Sequence, residues 1–176
     1  MGNHLLFFFS LVDIKEGLCE NIGRIEEIQM RKFEVVKGFE KERVTLPQRA
    51  TSRSAGYDLR ALEGASIAPG ETHLFKTGLK AAMEEDEVLL IFPRSSLAVK
   101  KGLRLSNSVA VIDADYYGNP DNDGHIMISL FNFSQETQVI EAGDRIAQGV
   151  FVKYEVTDDD HANGSRQGGF GSTKTK

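Results

Sequence analysis

The nine residues His125–Phe133 read HIMISLFNF, and they constrain the fold more than any other stretch. Ile126, Ile128 and Leu130 would share one face of a strand, and Met127, Phe131 and Phe133 the other, so both faces are apolar. Such a strand is buried twice, either between two layers of its own chain or against another subunit. Val88-Leu89-Leu90-Ile91-Phe92, closed by Pro93, is a second strand that the pattern expects to be fully buried. Shorter strand-like runs accompany them at Phe33–Lys37, Leu74–Leu79 (after the turn pair Pro69-Gly70), Gln138–Ile140 and Ile146–Tyr154. The one helix that stands out is short, Ser95–Lys101. Many short strands punctuated by Gly and Pro predict an all-β chain, a sandwich, jelly roll or barrel. Neither a repeat nor a linker divides residues 30–155, and 176 residues suffice for one domain with a real core.

The balance of residue types, 40% hydrophobic and 27% charged, is that of a soluble globular protein. A net charge of −5 argues against a broad nucleic-acid-binding surface, yet local cations can still hold a small anion. The lone Cys19 excludes a disulfide framework and a cysteine-rich zinc site, and the four histidines lack metal-ligand spacing. A hard cation on oxygen ligands, such as Mg²⁺, stays open. Leu5–Val12 (LLFFFSLV) is too short to span a membrane and lacks the flanks of a signal peptide. Residues 1–29 are read as an extension outside a domain that begins near Met30; the alternative is a helix packed on the body.

Five segments set polar or glycine-rich residues against strands. Ala55-Gly56-Tyr57-Asp58-Leu59 places a carboxylate among apolar neighbours. Pro93-Arg94-Ser95-Ser96 brings a cation and two hydroxyls to the start of the short helix, where N–H groups favour phosphate; simple capping by Ser95 is the alternative. Asn107, followed by Ala110-Val111-Ile112-Asp113-Ala114-Asp115-Tyr116-Tyr117-Gly118, ends an apolar triplet in a carboxylate beside aromatics; the alternative is a hairpin whose Asp only makes the turn. Gly143-Asp144-Arg145-Ile146-Ala147-Gln148 reads equally as a turn into a strand. The last, Arg166-Gln167-Gly168-Gly169-Phe170-Gly171-Ser172-Thr173, cannot form a core but can fold over a ligand. Its glycine amides and hydroxyls suit phosphate oxygens, Arg166 can fork onto phosphate, and Phe170 offers a face to a base; a flexible Gly/Ser tail is the alternative.

In this order the five segments resemble the five motifs of the trimeric dUTP pyrophosphatases (dUTPases): AGYDL, PRSSLAVKKGL, VIDADYYG, GDRIAQ and GGFGST. The resemblance covers residues 30–174, and five ordered motifs are far more specific than one short pattern. It implies a homotrimeric, jelly-roll-like β domain (30–160) whose C-terminal arm (161–176) closes over a neighbour's active site. It also implies a cytoplasmic enzyme that hydrolyses dUTP to dUMP and pyrophosphate with Mg²⁺. On that resemblance Asp113 activates the attacking water, and Tyr116 packs under the deoxyribose, leaving no room for a 2′-hydroxyl. Asn107 and the backbone of Ala110, Val111 and Ile112 read uracil. Arg94, Ser95, Ser96 and Gln148 contact phosphates, and Asp58 holds the metal through water or orders the site. Arg166, Gly171, Ser172 and Thr173 meet the γ-phosphate end, and Phe170 stacks on the base.

Three features depart from the common pattern. Ala110 stands where a glycine is usual, residues 119–124 look like an insertion, and Arg166 is one residue closer than usual to the Gly-Gly pair. Asn119-x-Asp121-x-Asp123-Gly124 begins like an EF-hand loop, but its twelfth position is Leu130. Two other functions fit the fold. A dCTP deaminase would need a different acid/base residue near the base, and the complete glycine-rich fifth motif argues against it. A nucleotide-sensing protein would pass arm closure to a regulatory protein partner, a role that can coexist with an intact Asp113.

Overall fold

A computed structural model describes residues 31–164, 166 and 168. The expected extension 1–29, and Phe170, Gly171, Ser172 and Thr173 of the arm, lie outside the described residues. Among the described residues the chain order is β1 (Lys32–Val35), β2 (Tyr57–Arg60), β3 (Ala65–Ile67), β4 (Thr72–Ala82), β5 (Glu87–Pro93), α1 (Ser95–Lys101), β6 (Leu103–Leu105), β7 (Ala110–Asp113), a 3-10 turn (Ala114–Tyr116), β8 (Ile126–Asn132), β9 (Gln138–Ile140) and β10 (Arg145–Lys153). They form two four-stranded antiparallel sheets, ordered β1-β4-β8-β6 and β2-β10-β5-β7, and a two-stranded sheet, β3-β9. The sheets are open and share one core, in which Phe75, Ile128 and Leu130 of one large sheet meet Leu59, Leu89 and Ile91 of the other. The architecture is the jelly-roll-like sandwich that the strand pattern predicts.

β8 shows how far a single chain satisfies its two apolar faces. Ile126, Ile128, Leu130 and Asn132 are buried, while Met127, Ser129 and Phe131 between them are only partly covered and Phe133 is exposed. One face is therefore core, and the other is partly open. Buried Asn132 is fully engaged: its Nδ2 donates to the carbonyls of Ile67 and Glu136, both at 2.8 Å, and its Oδ1 accepts from Ser134 N–H at 2.9 Å.

β5 is the spine of the second sheet. β10 pairs along its whole length, from Ala147↔Pro93 to Lys153↔Glu87, and β7 pairs with its first half, from Val88↔Asp113 to Ile91↔Ala110. The structure corrects the alternative of a hairpin turned by Asp113: that residue ends β7, in register with Val88 of β5. β6 pairs only with β8 and β7 only with β5, so the turn at 106–109 carries the chain from one large sheet to the other. Ser108 takes a positive φ of 64° in that turn. Ala110 packs against the core, so its methyl is accommodated where a glycine is usual. At the start of β5, Arg31 forks onto buried Glu87 and holds that carboxyl below its ordinary range.

Candidate active site

The chemistry-bearing residues gather at the two ends of β5. Toward its start lies the Asp113 end of β7, which among the described residues is the edge strand of its sheet, with β5 as its one neighbour. Its side chains alternate, Ala110 and Ile112 partly buried toward the core, Val111 and Asp113 exposed. Beyond its free edge is a cavity of about 230 Å³. Asn107, Ala110, Val111, Ile112, Asp113 and Tyr116, all singled out in the sequence, line it together with His125 and Arg166. That volume is below the ~300–1,000 Å³ of a pocket for a whole drug-sized ligand and suits a nucleoside-sized group.

Tyr116 is 6% exposed, and its hydroxyl is fixed from both sides. It donates to the His125 carbonyl at 3.2 Å and accepts from Asn122 Nδ2 at 2.7 Å. Asp113 is half exposed at the mouth of the cavity. Arg166 reaches the same place: its guanidinium pairs with Asp115 at 2.7 Å and with Asp113, and lies 5.7 Å from the centre of the Tyr116 ring. The Asp115 hydrogen bond, with the charges of both carboxylates, holds the Arg166 pKa above its ordinary value. In a single chain Arg166 therefore sits with the carboxylates.

His125 is a site residue that sequence reasoning missed. It is buried, and burial lowers its pKa, with the Lys76 charge adding to the effect. Its Nε2 accepts a 3.0 Å hydrogen bond from Gly78 N–H, which requires the neutral ring with its proton on Nδ1. Gly78 has a φ of +70°, and a Cβ there would lie 2.6 Å from Val44, so glycine is required at this bend of β4.

At the other end of β5, Asp58 of β2 lies between two cations. Arg94 Nε is 3.1 Å from its Oδ1, and Arg145 Nη1 is 3.1 Å from its Oδ2. Gln148 pairs in register with Asp58 on one side and Phe92 on the other, and its Nε2 donates to the Pro93 carbonyl at 3.3 Å. Gly56 makes room for it, since a Cβ there would lie 2.6 Å from Gln148 Oε1. Arg145 went unselected in the sequence, although it lies in the same segment as Gln148; a cation three residues from a phosphate-contact candidate was the available signal. Ser95 and Ser96 are exposed at the start of α1 beside Arg94. The N-cap position belongs to Arg94, with no side-chain capping bond, so the capping reading of Ser95 is corrected.

Asp113 and Gln148 do not meet within one chain. Asp113 faces Val88 and Gln148 faces Phe92, which at ~3.3 Å per residue separates them by roughly 13 Å along β5 alone. Among the described residues no cluster of three His, Cys, Asp or Glu side chains could cage a metal ion, and no helix is long and apolar enough to cross a membrane.

Comparison with known proteins shows the family. The dUTPase family model matches residues 42–174. The deoxyuridine 5'-triphosphate nucleotidohydrolase of Lactococcus lactis subsp. lactis (strain IL1403) is 51% identical over 148 residues, 83% of this chain and 99% of that protein. The crystal structure of a dUTPase from Streptococcus mutans superimposes with a TM-score of 0.68 at 47% identity, over 72% of this chain and 98% of that one. A mutant dUTPase from phage phi11 of S. aureus, described with a coordinated structural Mg(II) ion, gives a TM-score of 0.60 at 20% identity, over 77% of this chain and 97% of that one. That last likeness shows the shared fold.

Proposed function

The chain belongs to the dUTPase family and hydrolyses dUTP to dUMP and pyrophosphate, and on that premise we propose how its residues divide the work. Among the described residues no strand pairs with the outer edge of β7, and all four of its residues line the cavity. A uracil edge offers matching donors and acceptors, and the Asn107 amide completes the set. The Tyr116 ring lies under the deoxyribose and closes the space a 2′-hydroxyl would need. Asp113, at the end of β7, takes a proton from water as the water oxygen attacks the α-phosphorus. The bridging P–O bond to the β-phosphate breaks, and pyrophosphate leaves with that electron pair.

Arg94, Gln148 and the Ser95 and Ser96 hydroxyls bind the phosphates. Asp58 is occupied by Arg94 and Arg145. Its role here is to aim those guanidiniums, and its contact to a metal is through water. Mg²⁺ commonly keeps several waters and binds one or two carboxylates plus substrate phosphates, so a metal carried by the triphosphate fits this donor set better than a protein cage. When bound it neutralises phosphate charge. Arg166, Gly171, Ser172, Thr173 and Phe170 form the closing arm. On closure Arg166 exchanges the carboxylates for phosphate, which frees Asp113 to act as a base. A cytoplasmic location belongs to the same reading.

The observation that carries this reading is the separation of base and phosphate groups along β5. A complete site then takes its nucleoside end from one copy and its phosphate end from another, as in a homotrimer, whose contacts would also cover the open face of β8. Pyrophosphate release with Mg²⁺ across dUTP, dTTP, dCTP and UTP tests the specificity. Turnover of dUTP alone is expected. Comparable release from dTTP or UTP would refute the cavity assignments, and ammonia from dCTP would revive the deaminase.

A further inference from the structure

The turn at residues 119–124 does more than join the 3-10 turn to β8. Asn122 spans it with both ends of its amide: Oδ1 accepts from Gly124 N–H at 3.1 Å, and Nδ2 donates to the Tyr116 hydroxyl at 2.7 Å. The hydroxyl passes its own proton to the His125 carbonyl at 3.2 Å. The result is a one-way chain, Asn122 N–H to Tyr116 O–H to His125 C=O, in which each donor polarises the next.

The turn is itself clamped. Asp123 Oδ2 accepts from Lys80 Nζ at 2.8 Å and from Lys37 N–H at 2.9 Å. Asp123 and Gly124 take positive φ values of 59° and 80°. A Cβ at Gly124 would lie 2.5 Å from the Tyr116 carbonyl oxygen, so the turn is pressed against the backbone of the residue it tethers. A ring held only by packing can tilt away from a larger sugar; a ring tied at its hydroxyl to two separate backbone-anchored groups cannot.

We propose that Asn122 is a positioning residue that fixes the depth of the Tyr116 ring and so sets how strictly the site prefers a deoxyribonucleotide over a ribonucleotide. The inference rests on the assignment of Tyr116 to the sugar. Misplacements of ~1 Å at a site can change rates by as much as ~100-fold, so a small shift of the ring is enough to register in kcat/KM.

The test measures kcat/KM for dUTP and UTP, by pyrophosphate release, in Asn122→Ala, Tyr116→Phe, the double variant and Tyr116→Ala. Asn122→Ala should raise the UTP-to-dUTP ratio about tenfold, and Tyr116→Phe, which removes that bond together with the one to the His125 carbonyl, should raise it at least as much. The double variant should add nothing to Tyr116→Phe, and Tyr116→Ala should give the largest ratio. If Tyr116→Ala leaves the ratio at the wild-type value, the sugar assignment falls and the inference with it. If Tyr116→Ala moves the ratio but Asn122→Ala does not, the brace alone is overturned. Equal losses for both substrates in Asn122→Ala would make the residue merely structural and also overturn it. Should Asn122→Ala fail to fold, Tyr116→Phe removes the Asn122 bond along with the His125 one while keeping Asn122 in the turn, and an unchanged ratio there overturns the brace.

Discussion

The two ends of β5 carry opposite chemistry. At the nucleoside end two carboxylates, Asp113 and Asp115, share one arginine; at the phosphate end two arginines, Arg94 and Arg145, share one carboxylate. An acidic chain can thus hold a polyanion, because sign is arranged locally rather than in total. The ends also differ in what they are made of. One uses free backbone, an aromatic ring and a buried histidine around a cavity, which reads shape and hydrogen-bond pattern. The other uses exposed and half-buried ions on paired strands, which read charge.

The comparison breaks most visibly at Asp113. Asp113→Asn keeps the shape and removes the base, so turnover should fall by on the order of 10²–10⁴-fold. Affinity for a non-hydrolysable dUTP analogue should hold, or rise slightly as repulsion with the phosphates is lost. Single-turnover rates and analogue titration separate these outcomes, and equal losses in both would take Asp113 out of the base role. Division of labour between copies is tested by mixing two inactive variants, Asp113→Asn and Arg94→Ala, through unfolding and refolding together. Random co-assembly should restore about a quarter of the sites, because each site needs one intact end from each kind of chain. If mixing restores nothing, the two ends do not work in trans.

Two smaller effects sharpen the contrast. At the phosphate end, Gly56→Ala would press its methyl on Gln148 Oε1, the far end of a side chain that can move aside. Stability should stay near wild type while KM for dUTP rises by about tenfold, matching the ~1–1.5 kcal/mol of a typical hydrogen bond. An unchanged KM would remove Gln148 from the phosphate contacts. At the nucleoside end, His125 is held neutral by burial, its folded pKa lying below the 6.5 of a free side chain. Above 6.5 neither state binds the proton and stability is unaffected; as pH falls from 6.5 toward the folded pKa, only the unfolded chain takes it up and stability declines. His125→Gln retains an acceptor for Gly78 N–H and should flatten that slope in urea unfolding as the pH is lowered from 6.5. A slope that survives the substitution belongs to another group.

Much of this was legible in the chain where apolar runs are long. α1 and β9 fall on their expected residues, and β5 and β8 within one residue at each end. β2, β3, β6 and β7, each three or four residues long, were not marked out as strands. Their pairing is decided by neighbours: β6 and β7 are five residues apart in sequence yet join different sheets. The site residues were legible as a set, through five ordered motifs. Their division between two ends was not, since it depends on the Val88↔Asp113 and Gln148↔Phe92 registers. His125 and Asn122 belong to no motif. Their roles come from contacts with Gly78, 47 residues away, and with Tyr116, six residues away across a turn.

The free edge of β7 has a cost as well as a use. Unpaired N–H and C=O groups in a row would template another strand as readily as they would meet a base, and exposed Val111 is the kind of side chain that aids such addition. Three features keep the edge from spreading. It is four residues long, a turn with a positive φ at Ser108 precedes it, and it ends in Asp113 before a 3-10 turn bearing Asp115. A stray strand would gain few hydrogen bonds there and would have to bring its backbone up against Asp113 and Asp115. The carboxylate assigned to water activation thus also shields its own strand from unwanted pairing, so Asp113→Asn should be watched for aggregation as well as for lost turnover.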